Sequence, residues 1–460
     1  MNDMPKKVKV SPTKAFFVRM ITRDITLEDS ILDLIDNSVD GAWKNEGSRP
    51  AGLAENVDLK KYQIEITANE TEFSISDNCG GMSLEDAVEY AFSFGRREDD
   101  PTDEFSIGVY GIGMKRAVFK LGENISIHST TNDQNGDRLG FRVPIDVNDW
   151  LTIHDGPWDF DLVPDNPEEQ TGVRIAVTNL TRSTKVAFGN PAFIQQLARV
   201  ISRDYALHLN QGLNILVNGK KVTGWEITFK SSDEFEPVRF DFVDEADGQP
   251  VSVEIIGGMA EVPPDGLEPD ERGRKQDPYG WYIVCNGRIV LAADKTEISG
   301  WGDAWPKWHP QYAGFIGLLV FSAKSAADLP LTTTKRSVDR ASGVFRRSRP
   351  HLGKISQTWI DYTNKRKTMN RAGDEKQEEV KKLENATVPV SVYAVQPKAA
   401  MILPKFSREV RGEKQANIAY SVPVSKARAL ARGLGNQNLS YREIGLQSFE
   451  YAFEDLAGDD

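Results

Sequence analysis

The sequence predicts an α+β fold, because segments with helical and with strand periodicity are interspersed along its 460 residues. Apolar residues in 30–43 recur at helical spacing, which predicts an amphipathic helix with one face toward a core. Residues 62–77 and 124–180 alternate in polarity between turn residues, as half-buried strands do. Asn218-Gly219 predicts a hairpin, and the apolar run 281–291 predicts a strand. After residue 344 the pattern becomes helical and charged. A chain of this length can form two or three domains with separate cores.

The composition is that of an ordinary soluble protein, with 39% hydrophobic and 27% charged residues. No apolar run reaches membrane-spanning length, and the first residues lack the apolar core of a signal peptide, so no membrane partner is expected. Cys79 and Cys285 are the only cysteines, which leaves no disulfide framework. A reducing cytoplasm is therefore the expected location.

Charge is distributed unevenly along the chain. The formal net charge of −12 argues against a protein that coats nucleic acid uniformly. Residues 335–371, however, contain eleven Lys or Arg against Asp339 and Asp361, a balance of +9. This basic segment is a candidate surface for contact with the phosphates of DNA.

The polar face of the predicted helix 30–43 carries the first candidate site residues. Asp33 and Asn37 are one helical turn apart and therefore stacked, beside Asp29, Asp36 and Asp40. One interpretation is a solvated acidic helix surface. The other is a magnesium–nucleotide site, in which Asn37 is a hard oxygen ligand and Asp33 orients an attacking water. The helix alone leaves both interpretations open.

A second stretch, 73–83, reads as the end of a strand followed by Asp77, Gly80 and Gly81. A carboxylate at a strand end can accept a hydrogen bond from an exocyclic amine, and paired glycines let a flat base approach the backbone. Taken alone, the same stretch is more simply interpreted as a turn.

A third stretch, 106–122, places Gly108, Gly111 and Gly113 directly before a helical run. Glycines at this position allow backbone N–H groups and the positive end of a helix to meet phosphate oxygens. The spacing G-x-x-G-x-G is neither the dinucleotide-binding fingerprint nor the common phosphate loop, so neither of those assignments is supported.

Taken in order, DLIDNSVDGAW, DNCGGM and GVYGIGMKRAVFKLG resemble the three sequence boxes of the GHKL ATPase superfamily. Its members include gyrase B subunits, the ninety-kilodalton heat-shock chaperones, sensor histidine kinases, and the MutL and MORC proteins, to which the third box is most similar. The resemblance implies ATP and Mg²⁺ as cofactors. It also implies a Bergerat-type α/β sandwich ATPase domain, then a ribosomal S5-like βαβ transducer domain and a helical C-terminal region.

The same resemblance assigns roles to individual residues. Asp33 falls where the family has its general base, normally Glu, and Asn37 matches the magnesium ligand. Asp77 matches the aspartate that binds adenine. Further ATP contacts are implied for Gly81, Met82, Gly108, Val109, Tyr110, Gly111, Ile112, Gly113, Met114, Lys115 and Thr171.

Three departures from the family pattern affect this assignment. Asp33 is one methylene shorter than Glu, and since a misplacement of about 1 Å can cost on the order of 100-fold in rate, slow hydrolysis is expected. Cys79 stands at the first glycine of the D-x-G-x-G box. Thr171, Gly172 and Val173 replace the usual Gly-Thr pair, so no nucleotide contact is assigned to Val173.

Lys335, in the polar segment LPLTTTKRSVD, resembles the lysine that the family's transducer domain supplies to the terminal phosphate. A cation on a separate domain that reaches the γ-phosphate would link the nucleotide state to the angle between domains. The alternative is an exposed surface lysine, and Arg336 is the neighbour most easily confused with it.

Five regions follow from these patterns: an ATP-binding domain (1–228), a transducer (229–345), a charged helical segment (346–386), a linker (387–415) and a helical partner or dimerisation region (416–460). The predicted function is a homodimeric clamp that closes on ATP binding and hydrolyses ATP, acting on DNA in genome maintenance or anti-phage defence. One alternative is a chaperone-like scaffold that remodels a protein partner through the C-terminal helices. Another is a nucleotide-sensing module with negligible turnover.

Overall fold

The computed structural model describes residues 12–47, 49–53, 57–93, 104–108, 111–153, 158–265, 277–371, 374–404 and 418–457. The chain forms two compact units, Met1–Pro404 and Lys405–Asp460. Sheets and helices alternate along the first unit, which confirms the α+β prediction. Within the described ranges, no helix combines the length and apolar character needed to cross a membrane.

The first layer of the larger unit is an eight-stranded sheet with the order β5-β4-β3-β6-β2-β1-β7-β8. Neighbouring strands are antiparallel except for the parallel pair β1 and β7. The predicted hairpin at Asn218 and Gly219 is confirmed, and both turn residues have positive φ. The strands are β1 Gln63–Ala68, β2 Glu72–Asp77, β3 Gly122–Asn132, β4 Arg138–Asp146, β5 Val163–Asp165, β6 Gly172–Leu180, β7 Asn214–Val217 and β8 Lys220–Lys221.

The described residues of this part of the chain contain eight α-helices, of which α2 packs at the centre. The apolar stripe of α2 is buried in the same core as the strands, which confirms the predicted helix and its core-facing side. Thr26 caps the start of α2 by accepting a hydrogen bond from the backbone of Asp29. The helices are α1 Lys14–Arg23, α2 Leu27–Asn45, α3 Leu84–Asp86, α4 Gly113–Leu121, α5 Val147–Thr152, α6 Arg182–Phe188, α7 Pro191–Asp204 and α8 Ala206–Asn210.

A second sheet of five strands follows, with the order β10-β11-β14-β12-β13. The long helix α9 packs on β10 and β11, and α10 packs on α9. Trp281, Phe315 and Trp359 are fully buried there, and the ring of Phe315 contacts the rings of both tryptophans. The elements are β9 Thr228–Ser231, β10 Val238–Ala246, β11 Gln249–Met259, β12 Gly280–Cys285, β13 Arg288–Asp294, β14 Phe315–Ala323, α9 Gly343–Arg371 and α10 Asp374–Asn385.

The predicted βαβ unit is wrong in one respect, the α-helix that should connect its two parallel strands. Strands β12 and β14 are indeed parallel, but the connection between them contains β13 and a Trp-rich segment, 301–310, without an α-helix. The physical reason is a tight turn: Asn286 and Gly287 both have positive φ, at 43° and 79°, and they send the chain straight back as a hairpin. The apolar run 281–291, predicted as one strand, is therefore two.

The predicted linker 387–415 is also wrong over 388–402. β15 Val388–Ser391 pairs antiparallel with β9, and Val392 and Val395 are buried. The backbone of Lys398 then bonds reciprocally to that of Arg239. The backbone of β9 offered unpaired hydrogen-bonding groups, and the returning chain satisfies them. Residues 405–415 lie outside the described residues.

Between residues 418 and 457, the described part of the smaller unit, lie two helices, α11 Val424–Gly433 and α12 Tyr441–Ala457, in the region predicted to be helical. They contact each other, and the buried residues of the pair are Ala427, Ala431 and Ile444. Small side chains on α11 allow the two helices to approach closely.

Candidate functional site

A cavity of about 350 Å³ lies where α2, the end of β2 and the start of α4 meet. All three sequence boxes contribute to its walls. Val109 and Tyr110 lie outside the described residues. Twelve of the predicted site residues line the cavity: Asp33, Asn37, Asp77, Gly81, Met82, Gly108, Gly111, Ile112, Gly113, Met114, Lys115 and Lys335.

At one end of the cavity, which we call the base end, Asp77 is held by three hydrogen bonds. The Ser38 hydroxyl donates to its Oδ2 at 2.6 Å, while the backbone N–H groups of Cys79 and Val173 donate to Oδ1 at 2.9 and 3.3 Å. Burial raises the pKa of Asp77 above its usual value, although these hydrogen bonds lower it. These donors fix the plane of the Asp77 carboxylate, and its remaining lone pairs can accept a hydrogen bond from a ligand.

Close packing explains the glycines around Asp77. A Cβ on Gly81 would lie 2.0 Å from the carbonyl oxygen of Thr130, and one on Gly172 would lie 1.8 Å from that of Asp77. Cys79 is tolerated at the family's first glycine position because its φ is not positive and because Gly41 of α2 leaves room for it. The departure at Cys79 is therefore compatible with the turn.

Thr171 was predicted to contact ATP, but the cavity is not lined by it. Its carbonyl instead accepts a hydrogen bond from the N–H of Gly80 at 3.4 Å. Val173, to which the sequence assigned no contact, does line the cavity, together with Ile75 and Ile175. These side chains give the base end apolar walls suited to a flat aromatic ring.

The other end, which we call the phosphate end, begins at the first turn of α4. Ile112 precedes this helix without any side-chain cap, so the first N–H groups of α4 remain open to an anion. A Cβ on Gly113 would lie 3.4 Å from Cγ of Asp33, which shows how closely α4 starts against α2. Asn37, one turn further along α2, is exposed on the cavity wall.

Asp33, the candidate general base, is buried and bound by two cations. Arg116 donates from Nη2 and Nε to its Oδ2 at 2.6 and 2.7 Å, and Nζ of Lys335 lies 3.3 Å from its Oδ1. Arg116 also lines the cavity, and apart from its place in the helix of the third box no sequence pattern indicated it. Asp33 is thus not the solvated surface carboxylate of the first interpretation.

Lys335 is only 5% exposed, so the alternative of a surface lysine is wrong. It sits at the tip of a loop closed by the bridge between Leu331 and Val338, with a left-handed φ of 54°. Its Nζ donates to Oδ2 of Asp36 at 2.7 Å. Burial lowers the pKa of Lys335, but the charges of Asp36 and Asp33 raise it more, and the lysine remains charged.

Asp36, which the sequence did not single out, is the fully buried centre of this charged group. It accepts hydrogen bonds from Arg288, from Lys335 and, at 2.7 Å, from the Tyr205 hydroxyl. Burial acts to raise the pKa of Asp36, yet Arg288 and Lys335 hold it below its usual range. Arg336 similarly pairs with Asp29, so three cations that follow β12 meet the acidic face of α2.

Asp40 holds the start of the glycine segment. Its oxygens accept from the N–H of Ile107 at 2.9 Å and from that of Gly108 at 3.1 Å, with Arg49 3.5 Å away. Burial raises the pKa of Asp40 to about 6, partly against the charge of Arg49. This carboxylate therefore anchors the glycine segment to α2.

The same segment is tied to the second sheet. Arg49 donates to the carbonyl of Phe105 at 3.0 Å and also to the carbonyl of Asn286, in the turn between β12 and β13. The Asn286 amide donates to the carbonyl of Ser106 at 2.8 Å, and the N–H of Phe105 donates to the carbonyl of Lys324 at 2.9 Å. Residues 105–108 thus contact both layers.

Lys115 lines the cavity, but its ammonium group is engaged in holding the chain after α3. It donates to the carbonyls of Ala91, at 2.8 Å, and Ser93. The contact of Lys115 with ATP therefore stays a prediction.

The cavity offers few side-chain ligands, which suits a metal ion that is coordinated mostly by phosphate oxygens and water. Among the described residues there is no group of three or more His, Cys, Asp or Glu that could bind a metal ion. Mg²⁺ commonly takes one or two protein oxygens and completes its octahedron with phosphate oxygens and water. The exposed amide of Asn37 at the phosphate end fits that role.

Several cations of the basic segment 335–371 already form ion pairs within the protein. Lys335 and Arg336 bind α2, and Arg347, Arg349 and Arg366 pair with Asp244, Asp303 and Glu384. DNA contact through this segment stays a prediction. The cations that are exposed among its described residues are Arg340, Arg346, Lys354 and Lys365, together with the paired Arg347.

Residues 25–160 match the family model described as histidine kinase-, DNA gyrase B-, and HSP90-like ATPase. This range contains all three boxes and, apart from Lys335 and Thr171, every predicted site residue. No curated protein matches the chain.

Proposed function

We propose that this chain, whose residues 25–160 are a histidine kinase-, DNA gyrase B- and HSP90-like ATPase domain of the GHKL superfamily, binds ATP in the cavity beside α2 and hydrolyses it. The observation that carries the proposal is convergence: Asn37, Asp77 and the glycines before α4 line one cavity, and Lys335 reaches it from beyond the second sheet. These residues have the chemistry of a magnesium–nucleotide site.

At the base end, Asp77 accepts a hydrogen bond from the exocyclic amine of adenine. Ile75, Met82 and Val173 pack against the ring. At the phosphate end, the open N–H groups at the start of α4 donate to phosphate oxygens, and Asn37 holds Mg²⁺. When bound, Mg²⁺ neutralises part of the phosphate charge.

Asp33 then accepts the proton of the attacking water. Lys335 moves from Asp33 and Asp36 to the terminal phosphate, where its charge stabilises the transition state. Because Lys335 and Arg288 share Asp36, this movement changes how the second sheet is held on α2. ATP binding is thereby coupled to the contact between the two layers.

A second candidate function, a nucleotide sensor with little turnover, is favoured by one observation. Both oxygens of Asp33 are bound by cations, which leaves few positions from which an attacking water could hydrogen-bond to this carboxylate. The homodimeric clamp, the DNA partner, the defence role and the chaperone-like alternative stay predictions.

The test is steady-state phosphate release together with binding of a fluorescent ATP analogue. We expect Asn37→Ala to weaken Mg²⁺-dependent binding on the order of tenfold or more. We expect Asp33→Asn to bind normally but to lose on the order of 100-fold in kcat. Unchanged binding in Asn37→Ala would contradict the proposed site. Equal phosphate release by wild type and Asp33→Asn would favour the sensor.

A further inference from the structure

Arg116 and Asp33 form a shielded ion pair at the phosphate end. The guanidinium makes two contacts with one oxygen, Oδ2, from Nη2 at 2.6 Å and from Nε at 2.7 Å. The side chains are 11% and 3% exposed, so little water competes for either partner. Two charge-assisted hydrogen bonds from a planar guanidinium restrict both the position and the orientation of a carboxylate.

The backbone brings this pair together. The N–H of Arg116 donates to the carbonyl of Ile112 at 2.9 Å, which places Arg116 in the first turn of α4. Gly113 leaves the space through which that turn approaches Asp33. Because an aspartate is shorter than a glutamate, its carboxylate cannot reach as far from α2, and Arg116 reaches across from α4 to hold it.

Lys335 differs from Arg116 in having a second partner. Its Nζ lies 2.7 Å from Asp36 and 3.3 Å from Asp33, and it belongs to the loop after β14. In the described part of the chain, Asp33 is the one carboxylate that Arg116 contacts. A terminal phosphate that attracts Lys335 would therefore free Oδ1 of Asp33 while Arg116 still holds Oδ2.

We propose that Arg116 is a positioning residue that holds Asp33 for hydrolysis; this rests on the ATPase function proposed above. Oδ1 of Asp33 takes a proton from water as the water oxygen bonds to the γ-phosphorus. The bond from the γ-phosphorus to the bridging oxygen of ADP breaks in the same displacement. Arg116 acts through the orientation of Asp33 and not as the principal ligand of ATP.

The experiment compares kcat, KM and analogue binding in Arg116→Ala and Arg116→Lys. We expect Arg116→Ala to lower kcat by about 10- to 100-fold, because a carboxylate displaced by about 1 Å loses that much. KM and analogue affinity should change by less than about threefold. Arg116→Lys should recover part of kcat, since an ammonium can still hold Oδ2. Arg116→Gln, of similar length but uncharged, serves if the alanine variant is unstable.

Lys120 supplies the matched control. It lies on the same helix and donates to the carbonyl of Thr22 at 2.8 Å, and it does not line the cavity. Lys120→Ala removes a partly buried cation from α4 without touching Asp33. We expect its kcat to remain within about twofold of the wild-type value, as for a substitution away from the reacting groups.

A double-mutant cycle identifies the route of the effect. If Arg116 acts through Asp33, Arg116→Ala should have no further effect on kcat in the Asp33→Asn background. An equal loss in both backgrounds, or a rise in KM of tenfold or more at constant kcat, would overturn the proposal. If kcat falls in Asp33→Asn but does not fall in Arg116→Ala, only the role of Arg116 is contradicted. No loss in Asp33→Asn would overturn the proposed base as well.

Discussion

The two ends of the cavity are built in different ways. At the base end, Asp77 is held by neutral donors, the Ser38 hydroxyl and two backbone N–H groups, all from α2 and the first sheet. At the phosphate end, Asp33 and Asp36 are held by cations, and Arg288 and Lys335 come from the second layer. The base end is therefore complete within one layer. Only the phosphate end can transmit the state of a terminal phosphate to the second sheet.

The same residue type behaves oppositely at the two ends. Burial raises the pKa of Asp77, because its neutral partners compensate only part of the lost hydration. Burial acts in the same direction on Asp36, but the two cations reverse it and lower its pKa. Charged partners from another layer thus make Asp36 a structural anion, while Asp77 keeps the capacity to accept from a ligand.

The largest expected effect is on stability at the phosphate end. Asp36→Ala leaves the buried charges of Arg288 and Lys335 without their shared partner, which should cost about 3–5 kcal/mol in the free energy of unfolding. Asp77→Asn, the matched change at the base end, keeps an acceptor for Cys79 and should cost about 1 kcal/mol. Urea unfolding of both variants measures the contrast, and equal losses would contradict the difference between the ends.

A smaller effect concerns Asp40, whose pKa of about 6 lies above the usual 3.8. The folded protein therefore binds this proton more readily than the unfolded chain, and lowering the pH through 6 stabilises the fold. Between pH 7 and pH 5 the gain from Asp40 should be about 1 kcal/mol. The free energy of unfolding of wild type and of Asp40→Asn is measured at both pH values. The difference between the two proteins isolates the contribution of Asp40, because the other titrating groups contribute equally to both. A gain of the same size in Asp40→Asn would assign it elsewhere.

An effect of similar size on stability is expected at the base end. Ser38→Ala removes one hydrogen bond to Asp77, and the N–H groups of Cys79 and Val173 remain. The free energy of unfolding should fall by about 1 kcal/mol, and affinity for the ATP analogue should fall by less than about tenfold. We expect kcat to be unchanged because Ser38 faces the base end. A fall in kcat at constant affinity would show that the two ends are not independent.

Several elements were readable from local sequence. The apolar stripe of α2, the hairpin at Asn218 and Gly219, and the approach of all three boxes to one cavity agree with the prediction. A local signal is also present at Asn286 and Gly287, which form the same kind of turn, but they lie inside an apolar run whose composition wrongly predicts one strand. That error removed β13, which carries Arg288, from the predicted site.

Other features had no local signal. β15 follows β9 by more than 150 residues, so its proline-containing sequence could not show that it pairs with the edge of β9. The aspartates of α2 look alike in sequence, yet Asp29, Asp33, Asp36 and Asp40 have different partners. Which cation meets which carboxylate depends on how the second layer docks.

By itself, the sequence determined the helices and strands with clear periodicity, the glycines that the close turns need, and the chemical types required for a magnesium–nucleotide site. These are short-range properties, set by side-chain spacing and by which residues allow a positive φ. Only the tertiary structure decided that Asp36 is a buried anion, that Lys335 is not a surface residue, and that Arg116 holds Asp33. Burial and charge pairing depend on residues distant in the chain, and no local pattern can contain them.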